Sequence, residues 1–387
     1  MLVSVLTGRA YRRGLCGPET TGAVPASRAA ATNLGHPDRH PGAAHTAGTE
    51  ELRVSSLAHS LWFTEVRPPY DAAFATAPWS LAVAFAAVVV AVLWRWAARF
   101  LPRPELAVLR PLGRLGPWIP RLLGIHAGVS LLALAARLEF LVPTLALPVT
   151  WWGIGLGILE GIVGVWLIAG WRVRPAAWLL VVAGPLGMLG YGVIPILERA
   201  DLLAIGLFLA LLPPDDARPG GRIVVDPERV RGALFALRLL TGGTLILLAY
   251  TEKLARPELS LAFLDRYPAF NLLQLAGGTV GLEVGDVAFV RFAAGVEILF
   301  GLLLISGALP QLTVLAAGIP FNATLFFLGA TELIGHLPIY GAMLALLVYG
   351  CRDDTAPVCS WLPRPDGAMR TLPARDHPLR GSSAAAS

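Results

Sequence analysis

The sequence predicts an all-α, polytopic transmembrane helix bundle, in which two tandem four-helix units follow one extra N-terminal span. Composition is the first reason. Of 387 residues, 55% are hydrophobic and only 15% charged, and the mean hydropathy is +0.64. A soluble domain carries about 25% charged residues, so this chain cannot cover a water-facing surface. The second reason is a series of apolar runs, each close to the ~20 residues that cross a bilayer. The third is that the series repeats itself. Together these exclude a soluble enzyme, a nucleic-acid-binding protein and a disordered scaffold.

Residues 1–77 are rich in Ala, Gly, Thr, Arg and His and hold no sustained apolar period. They read as a disordered or interfacial segment, or as translation assigned from too early a start codon. The apolar stretch in MLVSVLTGRAYRRG is about six residues, short of the 7–15 of a signal peptide. Residues 58–74 carry Trp62, Phe63, Tyr70 and Phe74, and such aromatic side chains favour the membrane interface. Spans then follow near 78–99, 119–140, 150–170, 175–194, 198–213, 232–253, 287–307, 310–329 and 335–350. The stretch 254–286 mixes Arg256, Glu258, Asp265 and Arg266 with apolar LSLAFL and FNLLQLAG. It reads as an extracytoplasmic loop on, or dipping into, the interface. Residues 351–387 form a cytoplasmic tail.

The formal net charge is +5, and Lys253 is the only lysine among 31 basic residues. That bias, with 41 Gly and 31 Pro, fits a GC-rich bacterial genome. The arginines lie between apolar runs, which points to the lipid bilayer and not to nucleic acid as the partner. Arg95, Arg99, Arg103, Arg110 and Arg114 follow the first span, and Arg172 and Arg174 the third. Arg218, Arg222, Arg229 and Arg231 follow the fifth, and Arg352, Arg364, Arg370, Arg375 and Arg380 the ninth. Basic connections face the cytoplasm. The alternation therefore predicts a bacterial plasma-membrane protein with its N-terminus outside and C-terminus inside. Cys16, Cys351 and Cys359 match no disulfide framework or metal spacing, so no metal is expected.

The repeat is the most informative feature. WWGIGLGILEGIVGVWLIAG (151–170) aligns with AFVRFAAGVEILFGLLLISG (288–307). The alignment pairs Glu160 with Glu297, Gly164 with Gly301 and Gly170 with Gly307. After a two-residue shift it pairs Pro175 with Pro310, Pro185 with Pro320 and Gly206 with Gly341. Upstream, LLALAARL (131–138) lies over LLAYTEKL (247–254), pairing Arg137 with Lys253. Four spans per copy return the chain to the same side, so the copies, 119–213 and 232–350, have parallel orientation.

These motifs resemble the DoxX-like family of small four-helix bacterial membrane proteins. The second copy is the more similar, with LRLLTGGTLILLAYTEKLARPEL standing for the family's first helix and Lys253 for its lysine, although Tyr250 replaces a small residue. In the first copy Arg137 stands in the lysine's place. The resemblance implies a four-helix unit and a redox context at the membrane, and with that context a quinone as ligand and a redox partner protein are the expectation. It supplies no intrinsic cofactor and no agreed catalytic residue, so whether the chain is an enzyme stays open.

Ionisable groups within spans are the candidate site. Glu160 and Glu297 lie mid-span, where a charge costs roughly 2.5–3.5 kcal/mol on insertion scales. Candidate counter-charges are Arg137 and Lys253; Arg291 is six residues from Glu297 and should turn outward instead. Glu198, Asp201, Glu252, Glu332 and His336 could complete a polar pocket opening outward, with Asp201 aligned to His336. Pro185 and Pro320 should kink their helices, and Asn322 could bond a carbonyl freed by the kink. A purely structural role for each group, fixing helices to one another, stands beside a substrate, proton or quinone role. The functional expectation is a redox-associated, quinone-interacting membrane subunit. A small-molecule or ion transporter and a non-catalytic assembly factor are the rivals.

Overall fold

The computed structural model describes residues 68–102, 104–212, 227–278, 284–328 and 330–355. Most of the N-terminal segment and of the C-terminal tail lie outside these residues. The described chain is helical; an isolated bridge between Glu139 and Ala146 is its one β-type pairing. Seven of its helices are long and apolar enough to cross a membrane. The protein is a polytopic helical membrane protein.

The extra span is α1 (Pro78–Ala97). Proline opens it at N1, where the missing N–H is no loss. Its outer face leaves Phe85, Val88, Val92 and Leu93 exposed for lipid, and its inner face is small, Ser80, Ala87 and Ala91. An amphipathic 3-10 stretch, Ala107–Trp118, then leads into α2 (Ile119–Ala135). The first half continues with α3 (Trp151–Ala169), α4 (Val173–Tyr191), the short α5 (Val193–Leu197) and α6 (Ala200–Leu211). The second half opens with α7 (Pro227–Leu248), which the next six residues, Ala249–Leu254, continue as a π-helix. Two short helices, α8 (Pro257–Arg266) and α9 (Leu272–Gly278), fill the stretch read as an interfacial loop. Buried Leu259, Phe263 and Leu264 bind α8 into the protein. Last come α10 (Asp286–Ser306), α11 (Pro310–Leu328) and α12 (Ala330–Gly350). The predicted span 198–213 is realised as α6, a 12-residue apolar helix.

The two halves pack alike. In each, the first helix lies on the second, and the third predicted span lies on the fourth. The fourth in turn packs on the first helix of the other half, so α6 meets α7 and α12 meets α2. One apolar core runs through both halves, from Ile119, Leu131 and Leu167 to Phe208, Leu237 and Ile339. The α2–α3 and α7–α10 crossings are close to superimposable in chemistry. A Cβ on Gly128 would stand 2.5 Å from the Gly164 carbonyl oxygen and 2.6 Å from Ile168. A Cβ on Gly242 would stand 2.5 Å from the Gly301 carbonyl oxygen and 2.7 Å from Ile305. Backbones approach this closely only where glycine removes the side chain. The following turns match too: Gly170 and Gly307 are both left-handed caps, and Arg172 and Leu309, two residues on, both have positive φ.

These contacts correct the sequence pairing of the two cations and those of the prolines. Gly128 matches Gly242, so the first helices are offset by two residues from the register that pairs Arg137 with Lys253. Where α2 ends at Ala135, the second copy goes on into the π-helix. Lys253 therefore stands on a segment with no counterpart, and Arg137 is not its equivalent. The matched turn likewise sets α4 against α11, 19 residues each, from their first residues. Pro185 then lies twelve residues after Val173 and Pro320 ten after Pro310, so the prolines are not at equivalent positions.

Candidate functional site

Glu160 and Glu297 each stand ten residues before the left-handed glycine that ends their helix. They are thus at equal depth along matched helices, but their surroundings differ. Glu297 meets a cation: Lys253 Nζ lies 2.8 Å from Oε1 and 2.9 Å from Oε2. The π-helix makes this contact, because its wider turn carries Lys253 round to face α10; such π segments recur at functional sites. Among the described residues, no cation is paired with Glu160. It is 6% exposed, its Oε1 accepts the Leu141 amide N–H at 3.1 Å, and its Oε2 is buried without a hydrogen bond.

The group that reaches Glu160 belongs to the connection between α2 and α3. This chain doubles back as a tight hairpin, with Phe140 N–H bonded to the Leu145 carbonyl at 2.9 Å and Leu147 N–H to Leu138 at 2.6 Å. Leu138 and Leu141 adopt positive φ to make the turns. The hairpin drives Phe140, Leu141 and Val142 into the core. Phe140 stacks on Tyr191 at 6.0 Å and presses on Gly187, where a Cβ would stand 2.7 Å from its ring. At the hairpin's base, outside the spans, burial pushes the Glu139 carboxyl up to about 7 despite the opposing charge of Arg137.

In the second half the corresponding place is open. A cavity of about 380 Å³ is walled by α7, the π-helix, α8, α9, α10, α11 and α12. Its lining is largely apolar and includes Phe263, Phe289, Phe300 and Phe321, and its polar groups are those of Glu252, Lys253, Ser260, Glu297, Thr324 and His336. Its size is within the 300–1,000 Å³ typical of small-molecule sites. The Glu297 side chain is 30% exposed, so its carboxylate is accessible. His336 stands edge-on to Phe321 at 5.1 Å. Ser260 Oγ donates to the Glu252 carbonyl at 3.2 Å, tying α8 to the π-helix.

Of the sequence-predicted residues, the structure gathers Glu297, Lys253, Glu252 and His336 at this cavity. Asp201 is behind it, fully buried, 3.7 Å from Arg199. Arg199 donates to the Gly335 carbonyl at 3.0 Å, which links α6 to the His336 turn of α12. Arg137 is exposed and does not reach Glu160. Asn322 is also exposed, and it bonds the Gly318 carbonyl at 2.7 Å; the carbonyl that Pro320 leaves without its N–H partner is that of Ala316. The Glu332 side chain lies outside the described residues. Arg291 lies over the Phe74 ring at 4.3 Å and donates to Ser80 Oγ at 3.3 Å. Sequence reading missed Arg199, although an arginine between two acids in an apolar run was a signal. It also missed the Phe140–Leu141 plug, for which no sequence signal exists. No protein family, curated protein or solved structure matches the chain.

Proposed function

We propose that the second-half cavity binds a quinone-class ligand, and that the protein is a redox-associated subunit working with a partner protein, as the DoxX-like resemblance implies. The carrying observation is an apolar, phenylalanine-rich cavity whose wall bears the Lys253–Glu297 ion pair. Aromatic walls suit a flat ring, and Lys253 offers donors to a ring carbonyl. The basic end of the bundle, with Arg121, Arg172, Arg174 and Arg352, supports a cytoplasmic tail and a cavity nearer the outer face of a bacterial plasma membrane. The test is equilibrium dialysis of a short-tailed benzoquinone against the protein in lipid nanodiscs. One saturable site is expected, and Ala293→Phe, which fills the cavity, should abolish it. Binding that survives this substitution at full stoichiometry contradicts the reading.

A transporter is the second reading. It is favoured by the exchange of fourth helices between the parallel halves, since sliding there would change access on both sides. Uptake into vesicles that follows a pH gradient and is lost on Glu297→Gln would support it over the first.

A further inference from the structure

The first half fills the place beside its acid with its own chain. Phe140 and the Leu141 amide lie between the acid of α3 and the Gly187 position of α4. The matched turn makes Thr324 of α11 the counterpart of Gly187, and Thr324 lines the second-half cavity together with Glu297. The plug and the cavity are therefore the same place in two copies of one unit. What fills it in the first half is an aromatic ring next to a hydrogen-bond donor, with the donor aimed at the carboxylate.

We propose that the second-half cavity takes a hydroxylated ring, the reduced, dihydroxy form of a quinone, whose O–H is donated to Glu297 as the Leu141 N–H is donated to Glu160. This rests on the quinone-class reading and adds which redox form is held. The geometry leaves room for that bond. An ionised carboxylate has about four acceptor positions, and Lys253 takes one on each oxygen. The remaining positions are on a side chain that stays accessible from the cavity. A quinone carbonyl has no proton to give, so only Lys253 and its neighbours could hold it. A hydroquinone can use both members of the pair, its O–H to Glu297 and its oxygen from Lys253. In the first half Gly187 leaves space for Phe140. In the second, Thr324 and Phe321 stand at that wall, the hairpin is absent, and the space stays open.

The test compares three ligands of one ring pattern on the intact protein in nanodiscs, without oxygen: tetramethylbenzoquinone, its hydroquinone, and the hydroquinone dimethyl ether. The hydroquinone should bind roughly tenfold to a hundredfold tighter than the quinone, the range for a hydrogen bond to a charged acceptor. The ether, which has no O–H, should lose that gain. Glu297→Gln should reduce the difference to about twofold, with an unchanged helical circular-dichroism spectrum showing that the variant is folded; a difference undiminished in the variant overturns the proposal. Equal affinities, or a preference for the quinone or the ether, overturn the proposal and leave the quinone-class reading standing. Failure of all three ligands to bind sinks that reading and this proposal with it.

Discussion

The two halves use the same crossing, the same turn and the same buried acid, yet one is closed and the other open. In the first, a 15-residue connection (136–150) folds back and its own Phe140 and Leu141 fill the bundle. In the second, the connection (255–285) is about twice as long, forms α8 and α9, and roofs a cavity instead of filling it. The acid follows its setting. A carboxylate facing space keeps a lysine partner, whereas a carboxyl sealed among apolar groups is held by one backbone N–H. A shared scaffold thus fixes where an acid stands, and the connecting segment decides what it can do. The closed half is a structural element and the open half is the candidate site.

The shared part should be the most fragile. Gly128→Val and Gly242→Val should each destabilise the bundle by about 3 kcal/mol or abolish folding, because the new side chain meets backbone. Thermal melts in detergent check this; a large loss in one half only would break the equivalence. The counter-charge comes next. Lys253→Met leaves the Glu297 carboxylate without its cation and should cost about 1–2 kcal/mol, less than a fully sealed pair because Glu297 is partly exposed. Arg137→Met should change stability by no more than about 0.5 kcal/mol. A reversed order would restore the sequence pairing of these two cations.

Those cations show what was legible in the sequence. Hydropathy located the helices, and the spacing of Glu160 to Gly170 and Glu297 to Gly307 revealed the copy, since helix crossings and turns tolerate no insertion. The prolines misled because matching letters two residues out of register look like a match, and only the turn conformation fixes the offset. Lys253 was found as the partner of Glu297, but for a reason the sequence hides. A π-helix has no composition of its own, so its extra reach cannot be read from TEKL. The plug was invisible because its effect depends on a tight hairpin formed by two leucines at positive φ, which letters do not announce.

A smaller effect sharpens the contrast further. The Glu139 carboxyl is raised in the folded state by burial. The fold therefore binds a proton that the unfolded chain releases, and stability falls as pH rises from 4.5 to about 7, then levels off. Melts across that range should show the slope, and Glu139→Gln should remove Glu139's share of it. An undiminished slope in the variant would mean that the closed half does not hold this acid neutral.

The central claim, one place filled in the first half and open in the second, is tested most directly by thiol labelling. Ala293 and Leu156 are each four residues before their acid, hence on the same helix face. With Cys16, Cys351 and Cys359 changed to Ser, a small membrane-permeant maleimide should label Ala293→Cys within minutes. Leu156→Cys should stay at least about tenfold slower until Phe140→Ala is added. Equal labelling of both positions in the presence of Phe140, or protection of Ala293→Cys, would contradict the account.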